Sequence, residues 1–294
     1  MIAQFTLTPT ESKYLIAKAV TRLERVQNAL KNGILAIHPC TTGYALFNEI
    51  TGRRNGSKVW VTGMIVEKGF CIEANTQMKK TDVAAGAGMG KLLSDPGQYP
   101  HTMVLYKGEE IVGMTINELI DRMGPGDIYV KGVNAVDANR KVGVLLGSLA
   151  EGTIGKILSV REEKGFEILC PVGLEKFIPG TVEEAAEFIK GPKEYSTGQR
   201  MRLRPMDATV MTEVEAVESL ADVKAMVFSA GGLEGAAGSI SLAVRGEKEE
   251  VEKIIAVCES VKGKTLPPIS EPRCMECCHP NCHMAGTQKP WVKE

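Results

Sequence analysis

Apolar positions recur at helical spacing near the start of the chain. After Thr8 and Pro9, apolar residues repeat every three or four positions as far as Leu30, and Gly33 follows the run. A hydroxyl group before such a run can accept hydrogen bonds from free backbone N–H groups, and glycine suits a helix end. The pattern therefore predicts a helix over residues 8–32. Similar signals predict further helices at residues 44–50, 115–123, 182–189, 213–220 and 248–261.

Short apolar runs lie between these helices and are bounded by glycine-rich turns. They predict strands at residues 34–37, 59–65, 69–72, 103–106, 127–130, 166–170, 208–212, 224–229 and 239–244. Strands that alternate with helices indicate an α/β fold with a mainly parallel sheet. After residue 200 the order strand, helix, strand, strand, helix matches most of a ferredoxin-like α+β unit.

This change of pattern predicts two domains and a tail. We expect an α/β domain over residues 1–200, a ferredoxin-like domain over residues 201–264, and a Cys/His-rich tail over residues 265–294. A chain of 294 residues is long enough for one large and one small domain. The tail is too short to fold without a ligand or a docking surface.

Composition and charge narrow the classes of partner. The chain is 44% hydrophobic and carries a formal net charge of −1, which argues against a general electrostatic grip on nucleic acid or on an anionic membrane. The basic residues Arg200, Arg202 and Arg204 make only a small cluster. The chain contains no run of 18 apolar residues, and its first residues lack the pattern of a signal peptide. We therefore expect a cytoplasmic protein with no membrane partner and no nucleic-acid partner.

The strand and loop from Gly126 to Asp137 resemble a known motif. They are similar to the strand and D-G-A-D-E-V-D loop of the ribose-5-phosphate isomerase A family. That superfamily includes glucosamine-6-phosphate deaminases, CoA transferases and the lactate-utilisation (LUD) domain. Residues 169–176 are similar to a segment of LUD-like proteins. The resemblance covers about residues 8–190. It implies a three-layer isomerase/CoA-transferase-like α/β fold with a ligand cleft at the carboxyl ends of the parallel strands.

The chain departs from the isomerase motif at two of its three acidic positions. Lys131 and Asn134 stand where the family has acids, and Asp137 is retained. Moving a carbon-bound proton in an isomerisation needs a base, and the base of the family has no counterpart here. We interpret Lys131 and Asn134 as residues that orient an anion. Asp137 is the candidate for acid/base work, with capping of its own loop as the alternative.

Two glycine-containing loops are candidates for binding an anion. Successive backbone N–H groups at a helix N-terminus bind phosphate well. Such a site is predicted at Thr41, Thr42 and Gly43, just before a helix, with a second half formed by Gly152, Thr153 and Gly155. The alternative is that these glycines only permit tight turns. Glu175 and Lys176 are interpreted either as a pair across the cleft or as a solvated ion pair.

Half of the eight cysteines fall within nine residues near the end of the chain. In a reducing compartment, such a cluster indicates metal or redox chemistry before it indicates disulfides. Zinc and an iron–sulfur cluster both remain open, since the spacing fits neither standard pattern. The candidate ligands are Cys274, Cys277, Cys278, Cys282, His279 and His283.

Two hypotheses for the function follow from these sites. In the first, the protein is an isomerase or transferase that acts on a small phosphorylated or carboxylated metabolite. In the second, the protein has no chemistry of its own and acts as a metabolite or redox sensor or as an electron-transfer accessory. Neither hypothesis includes a nucleotide cofactor, and association with further copies of the chain stays open.

Overall fold

The computed structural model describes residues 1–52, 60–75, 103–147, 151–267, 269, 273–277, 279 and 281–291. Within them the chain is mixed α/β, which confirms the predicted fold class at that level. The strands are β1 Ile2–Leu7, β2 Ile34–Ile37, β3 Trp60–Val66, β4 Gly69–Asn75, β5 Val104–Tyr106, β6 Glu109–Glu110, β7 Ile128–Val130, β8 Ala135–Val136, β9 Val142–Leu146, β10 Glu167–Pro171, β11 Arg202–Met206, β12 Thr209–Met211, β13 Val223–Gly231 and β14 Ser239–Gly246. The helices are α1 Pro9–Arg22, α2 Glu24–Asn32, α3 Thr41–Thr51, α4 Ile116–Arg122, α5 Gly152–Lys164, α6 Val182–Phe188, α7 Glu213–Leu220 and α8 Lys248–Val261.

A six-stranded sheet forms the centre of the molecule, in the order β12-β10-β7-β2-β5-β6. Strands β12, β10, β7 and β2 run parallel to one another. Strand β5 is antiparallel to β2, and β6 pairs with β5 as a hairpin at the edge. The sheet is therefore mixed, and the four parallel strands all end on the same side.

Both faces of this sheet are covered by hydrophobic side chains. Leu35 and Ile37 of β2 belong to one buried cluster, which also holds residues of α1, α3, α7 and α8. Ile34 and Ala36 belong to a second cluster, which also holds residues of α4 and α5. This alternation follows from the two-residue period of a strand, and it explains why β2 is apolar at every position.

Helix α1 begins at a strong start signal and ends earlier than the sequence predicts. The Thr8 hydroxyl accepts a hydrogen bond from the Glu11 amide, and the Glu11 carboxylate accepts one from the Thr8 amide. The predicted single helix over residues 8–32 is wrong, since the backbone at Leu23 is extended and separates α1 from α2. An extended residue here lets α2 take its own direction towards β2.

The second sheet is antiparallel, in the order β1-β14-β13. Strand β1, which the sequence analysis does not predict, pairs with β14 along its whole length, Ile2 lying opposite Arg245. The segment predicted as the first strand of the ferredoxin-like unit instead pairs with β10 in the central sheet as β12. The sheet partner of β12 therefore lies upstream of residue 200, and β1 takes the place beside β14.

A third sheet, in the order β11-β9-β8, is also antiparallel, and β3 and β4 form a separate hairpin. Strand β11 contains Arg202 and Arg204 of the small basic cluster, in a segment where the sequence analysis predicts no strand. Strands from the two sides of residue 200 therefore pair with each other. Strand β11 pairs with β9, β12 with β10, and β14 with β1. In the part of the chain described above, no helix is long and apolar enough to cross a membrane.

Candidate functional site

The loops that follow the four parallel strands of the central sheet begin side by side. The His38 amide donates to the Val130 carbonyl, the Lys131 amide to the Leu169 carbonyl, and the Val172 amide to the Met211 carbonyl. The residues that follow β2, β7, β10 and β12 therefore lie next to one another, along the carboxyl ends of these strands. Ligands of open α/β sheets bind outside this end of the strands, so its polar side chains are the first candidates for a site.

The loop after β2 leads into the N-terminus of α3 through Cys40. The Cys40 side chain caps the helix, since its Sγ accepts a hydrogen bond from the Gly43 amide at 3.2 Å. The first N–H groups of a helix have no partner within the helix and carry partial positive charge. The amides of Thr41 and Thr42 occupy these first positions of the helix.

Gly132, after β7, lets the two neighbouring loops approach each other closely. A Cβ atom at this position would lie 2.7 Å from Cys40 Sγ, which real side chains essentially never tolerate. Glycine is therefore required here for close packing. The contact brings the loop after β7, with Lys131, against the capped start of α3.

Lys131 is buried, being 7% exposed, and its Nζ donates to the carbonyl of Gly132 at 3.0 Å. Burial lowers the pKa of Lys131, and the charge of Lys176 lowers it further. The thiols of Cys40 and Cys170 act in the opposite direction. However, burial raises the pKa of Cys170 to about 12, so this thiol is neutral at physiological pH.

Lys176 belongs to the loop after β10 and turns its head group inward. Its Nζ donates to the carbonyl of Val133 at 2.8 Å, and burial lowers its pKa. Glu175, its neighbour in sequence, forms an ion pair with Lys13 of α1 at 3.2 Å. Of the two interpretations of Glu175 and Lys176, neither describes the contacts, because each side chain has its own partner.

Glu213 stands at the start of α7, directly after β12, and is fully buried. Its carboxylate accepts hydrogen bonds from the Leu174 amide, at 2.9 Å for Oε2, and from the Ser12 hydroxyl. Burial raises the pKa of Glu213 to about 7, with a further contribution from the charge of Glu175. A carboxyl group that titrates near neutral pH can both take up and release a proton.

The loop after β2 also carries a histidine. His38 is buried, and its Nδ1 lies 2.9 Å from the hydroxyl of Tyr129. Burial also raises the pKa of Tyr129, so the phenol keeps its proton. His38 thus contacts strand β7 through the side chain of Tyr129. His101 lies outside the described residues.

Asp137 is buried but holds the backbone in place. Its Oδ1 accepts hydrogen bonds from the amides of Asn139 and Lys141, and its Oδ2 accepts one from the amide of Val182, at 2.9 to 3.0 Å. Three backbone donors occupy both oxygens, which is the capping alternative for this residue. The geometry gives no support to acid/base work by Asp137.

Asn134 also serves the backbone, as its Oδ1 accepts a hydrogen bond from the Leu145 amide at 3.0 Å. Gly152, Thr153 and Gly155 lie in the first turn of α5. Ile154, between them, belongs to the hydrophobic cluster on the opposite face of the central sheet from α3. The two predicted halves of the anion site therefore flank different faces of the sheet, and the half at α3 is the one beside Lys131.

The tail is docked on the segment before β11. The amide of Arg200 donates to the Asn281 carbonyl, and the amide of His283 donates to the Gly198 carbonyl. The Asn281 side chain donates to the carbonyls of Gly147 and Arg200, at 2.9 and 3.0 Å. The sequence analysis expects the tail to need either a ligand or a docking surface in order to fold. The chain itself provides a docking surface.

The described tail residues do not assemble a metal site. Cys274, Cys277 and Cys282 form no disulfide bond within the described part of the chain, and Cys278 lies outside the described residues. His279 Nδ1 accepts a hydrogen bond from the Asn281 amide, and its Nε2 faces Gln199 at 3.5 Å. Among the described residues, no three His, Cys, Asp or Glu side chains form a group that could hold a metal ion.

Sequence reasoning did not single out Lys13 or Cys40, and it gave Glu213 no role. Cys40 could have been found, since it immediately precedes the predicted anion-binding turn. Lys13 could not, because only the packing of α1 over the strand ends brings it to Glu175. Comparisons with family models, curated proteins and solved structures find no match to the chain.

Proposed function

We propose that the protein binds a small phosphorylated or carboxylated metabolite at the carboxyl end of the central sheet and acts on it as an enzyme. The observation that carries this proposal is the excess of lysine over carboxylate in one buried cluster. Lys13, Lys131 and Lys176 meet Glu175 and Glu213 there, and Glu213 has a pKa of about 7.

The charges of this cluster do not balance without a ligand. The pair of Lys13 and Glu175 is internally neutral, and Glu213 is close to half-protonated at neutral pH. Buried charge is costly unless it is paired, and a buried lysine otherwise releases its proton. An anionic ligand offsets the charge of Lys176, and this would stabilise both partners.

Each group has a distinct role in the proposal. The Lys176 ammonium and the free amides of Thr41 and Thr42 hold the anionic group, because a helix N-terminus and a lysine both favour negative charge. Glu213 takes the acid/base role expected of Asp137. The ligand position is the one that the resemblance to the isomerase/CoA-transferase superfamily implies, and we extend that resemblance to a three-layer fold as part of this proposal.

A thermal-shift screen tests the proposal with defined anions. Inorganic phosphate, citrate and ribose 5-phosphate are added to the full chain, and one of them should raise the melting temperature by roughly 5 °C at saturation. Lys176→Met should abolish the shift. Lys190→Met, at an exposed lysine paired with Glu187, is the matched control and should keep it. If no anion stabilises the protein, or if both variants respond alike, the proposal is wrong.

Turnover separates the enzyme from the sensor. If the stabilising anion is consumed, the enzyme hypothesis stands, and Glu213→Gln should lower the rate by about 10²-fold or more. If the anion binds unchanged through every assay of isomerisation and transfer, the sensor hypothesis replaces it.

We also propose that the tail binds a metal, either zinc or iron in an iron–sulfur cluster, through the six ligands predicted from the sequence. In support, Nδ1 of His283, one of the six predicted ligands, is buried without a hydrogen-bond partner. Metal and sulfide analysis after anaerobic purification tests this. A double variant, Cys277→Ser with Cys282→Ser, should lose the metal, and Cys71→Ser should keep it; a metal-free wild-type chain would contradict the proposal.

A further inference from the structure

Lys131 differs from the other two lysines of the cluster in its neighbours. Lys13 is paired with Glu175, and burial lowers the pKa of Lys176 while the charges of Glu175 and Glu213 act in the opposite direction. The groups that act on Lys131 in the described chain are Cys40, Cys170 and Lys176, none of which is a carboxylate. Lys131 is thus the lysine of the three whose buried amine has no carboxylate among the groups that act on it.

The backbone fixes the position of Lys131 at the middle of the strand ends. It follows β7, which lies between β2 and β10, and its amide donates to the Leu169 carbonyl. Its Nζ has a carbonyl oxygen, that of Gly132, as its acceptor at 3.0 Å. A neutral amine donates to a carbonyl as an ammonium does, and its lone pair stays free. Cys40 and Thr41, at the start of α3, are partly exposed.

We propose that Lys131 forms a Schiff base with an aldehyde or ketone that also carries a phosphate or carboxylate group. This inference rests on the proposed anion site and names the reacting group of its ligand. A lysine becomes nucleophilic when it is desolvated or lies beside another cation, and Lys131 meets both conditions. Lys176 and the N-terminus of α3 would hold the anionic end while the carbonyl faces Lys131.

The step balances without a further reactant. The Nζ lone pair attacks the carbonyl carbon, and the electron pair of the C=O bond moves to oxygen. Both amine protons leave with that oxygen as water, so that a C=N bond replaces the C=O bond. Protonation of the nitrogen gives an iminium ion, which withdraws electrons from the neighbouring carbon and makes its proton easier to remove. The imine reverts to amine and carbonyl when water adds back.

Reductive trapping tests this inference on the full chain. Glyoxylate, pyruvate, dihydroxyacetone phosphate and glyceraldehyde 3-phosphate serve as probes, with sodium cyanoborohydride to reduce the imine. An ordinary lysine with a pKa of about 10.4 is neutral in fewer than about one in a thousand molecules at pH 7. We therefore expect one adduct per chain, with the mass of the probe less one oxygen atom, on the peptide that contains Lys131.

Three variants and one competing anion show whether the labelling is specific to Lys131. Lys131→Met should reduce the labelling of that peptide by at least about tenfold, and Lys131→Arg serves if the methionine variant does not fold. Lys190→Met should be labelled at Lys131 like the wild type, and inorganic phosphate should protect Lys131. Adducts on exposed lysines of the wild type, with none on the peptide that contains Lys131, overturn the inference. If no probe gives an adduct while phosphate still stabilises the chain, the Schiff base is wrong and the anion site stands; if phosphate also fails, both are wrong.

Discussion

Replacing Glu213 by glutamine should remove a pH-dependent loss of stability. Glutamine has nearly the shape of the protonated carboxyl group, and its oxygen can still accept the hydrogen bond from the Leu174 amide. The carboxyl group of Glu213 is fully buried, and its pKa rises from 4.5 to about 7 in the folded chain. The folded state therefore holds this proton over a range of pH in which the unfolded state has released it.

The direction and size of the effect follow from proton linkage. Below pH 4.5 both states hold the proton, and the favourable contribution of the neutral carboxyl group is complete. As pH rises towards 7 the unfolded state loses its proton first, so the free energy of unfolding falls. At 1.36 kcal/mol for each tenfold change in the proton equilibrium, the total loss is about 3 kcal/mol.

Chemical denaturation at a series of pH values measures this loss. The Glu213→Gln variant should match the wild type near pH 4.5 and exceed its free energy of unfolding by up to about 3 kcal/mol above pH 7. Glu187→Gln, at an exposed residue, is the matched control and should follow the wild-type curve. A wild-type curve that rises from pH 5 to 7 in parallel with that of Glu213→Gln would refute the reasoning.

Further predictions concern the residues around this cluster. Asp137→Ala leaves three backbone amides without an acceptor, so the free energy of unfolding should fall by about 3 kcal/mol or more, while phosphate affinity of the folded chain stays unchanged; weaker binding at equal folding would contradict its structural role. Lys131→Met removes a buried amine and should raise the free energy of unfolding by about 1–2 kcal/mol. A lower melting temperature would contradict this, because it would mean that the hydrogen bonds of the amine offset the cost of burying it. Gly132→Ala should cost about 1–3 kcal/mol and change the rate at which iodoacetamide modifies Cys40, because the new Cβ would meet its sulfur at 2.7 Å. Gly235→Ala, at a position with open space, is the control and should change neither quantity.

The sequence predicts the central sheet well because its signals are local. Apolar runs such as Ile34–Ile37 stand alone between polar loops, and caps such as Thr8 and Thr115 mark helix starts within four residues. Strand β1 escapes prediction because its partner, β14, lies more than 230 residues downstream. Nothing near Ile2 indicates that pairing, which depends on the folded positions of both ends of the chain.

The candidate site is predictable in position but less so in its residues. The turn at Thr41 and Thr42 and the lysine after β7 follow from the motif and the order of elements. The motif also draws attention to Asp137, whose carboxylate accepts hydrogen bonds from its own loop and from the distant Val182 amide, which the local sequence does not show. Conversely, the role of Glu213 depends on its burial beneath α1 and on Glu175, and these are properties of packing rather than of spacing.

The position of a bound anion tests the central claim most directly. Crystals of the protein soaked in tungstate, a heavy analogue of phosphate, would give an anomalous signal at each anion site. The proposed function predicts a strong peak within hydrogen-bond distance of Lys176 Nζ and of the amides of Thr41 and Thr42. Peaks confined to other parts of the surface, with none at the carboxyl end of the central sheet, would contradict it.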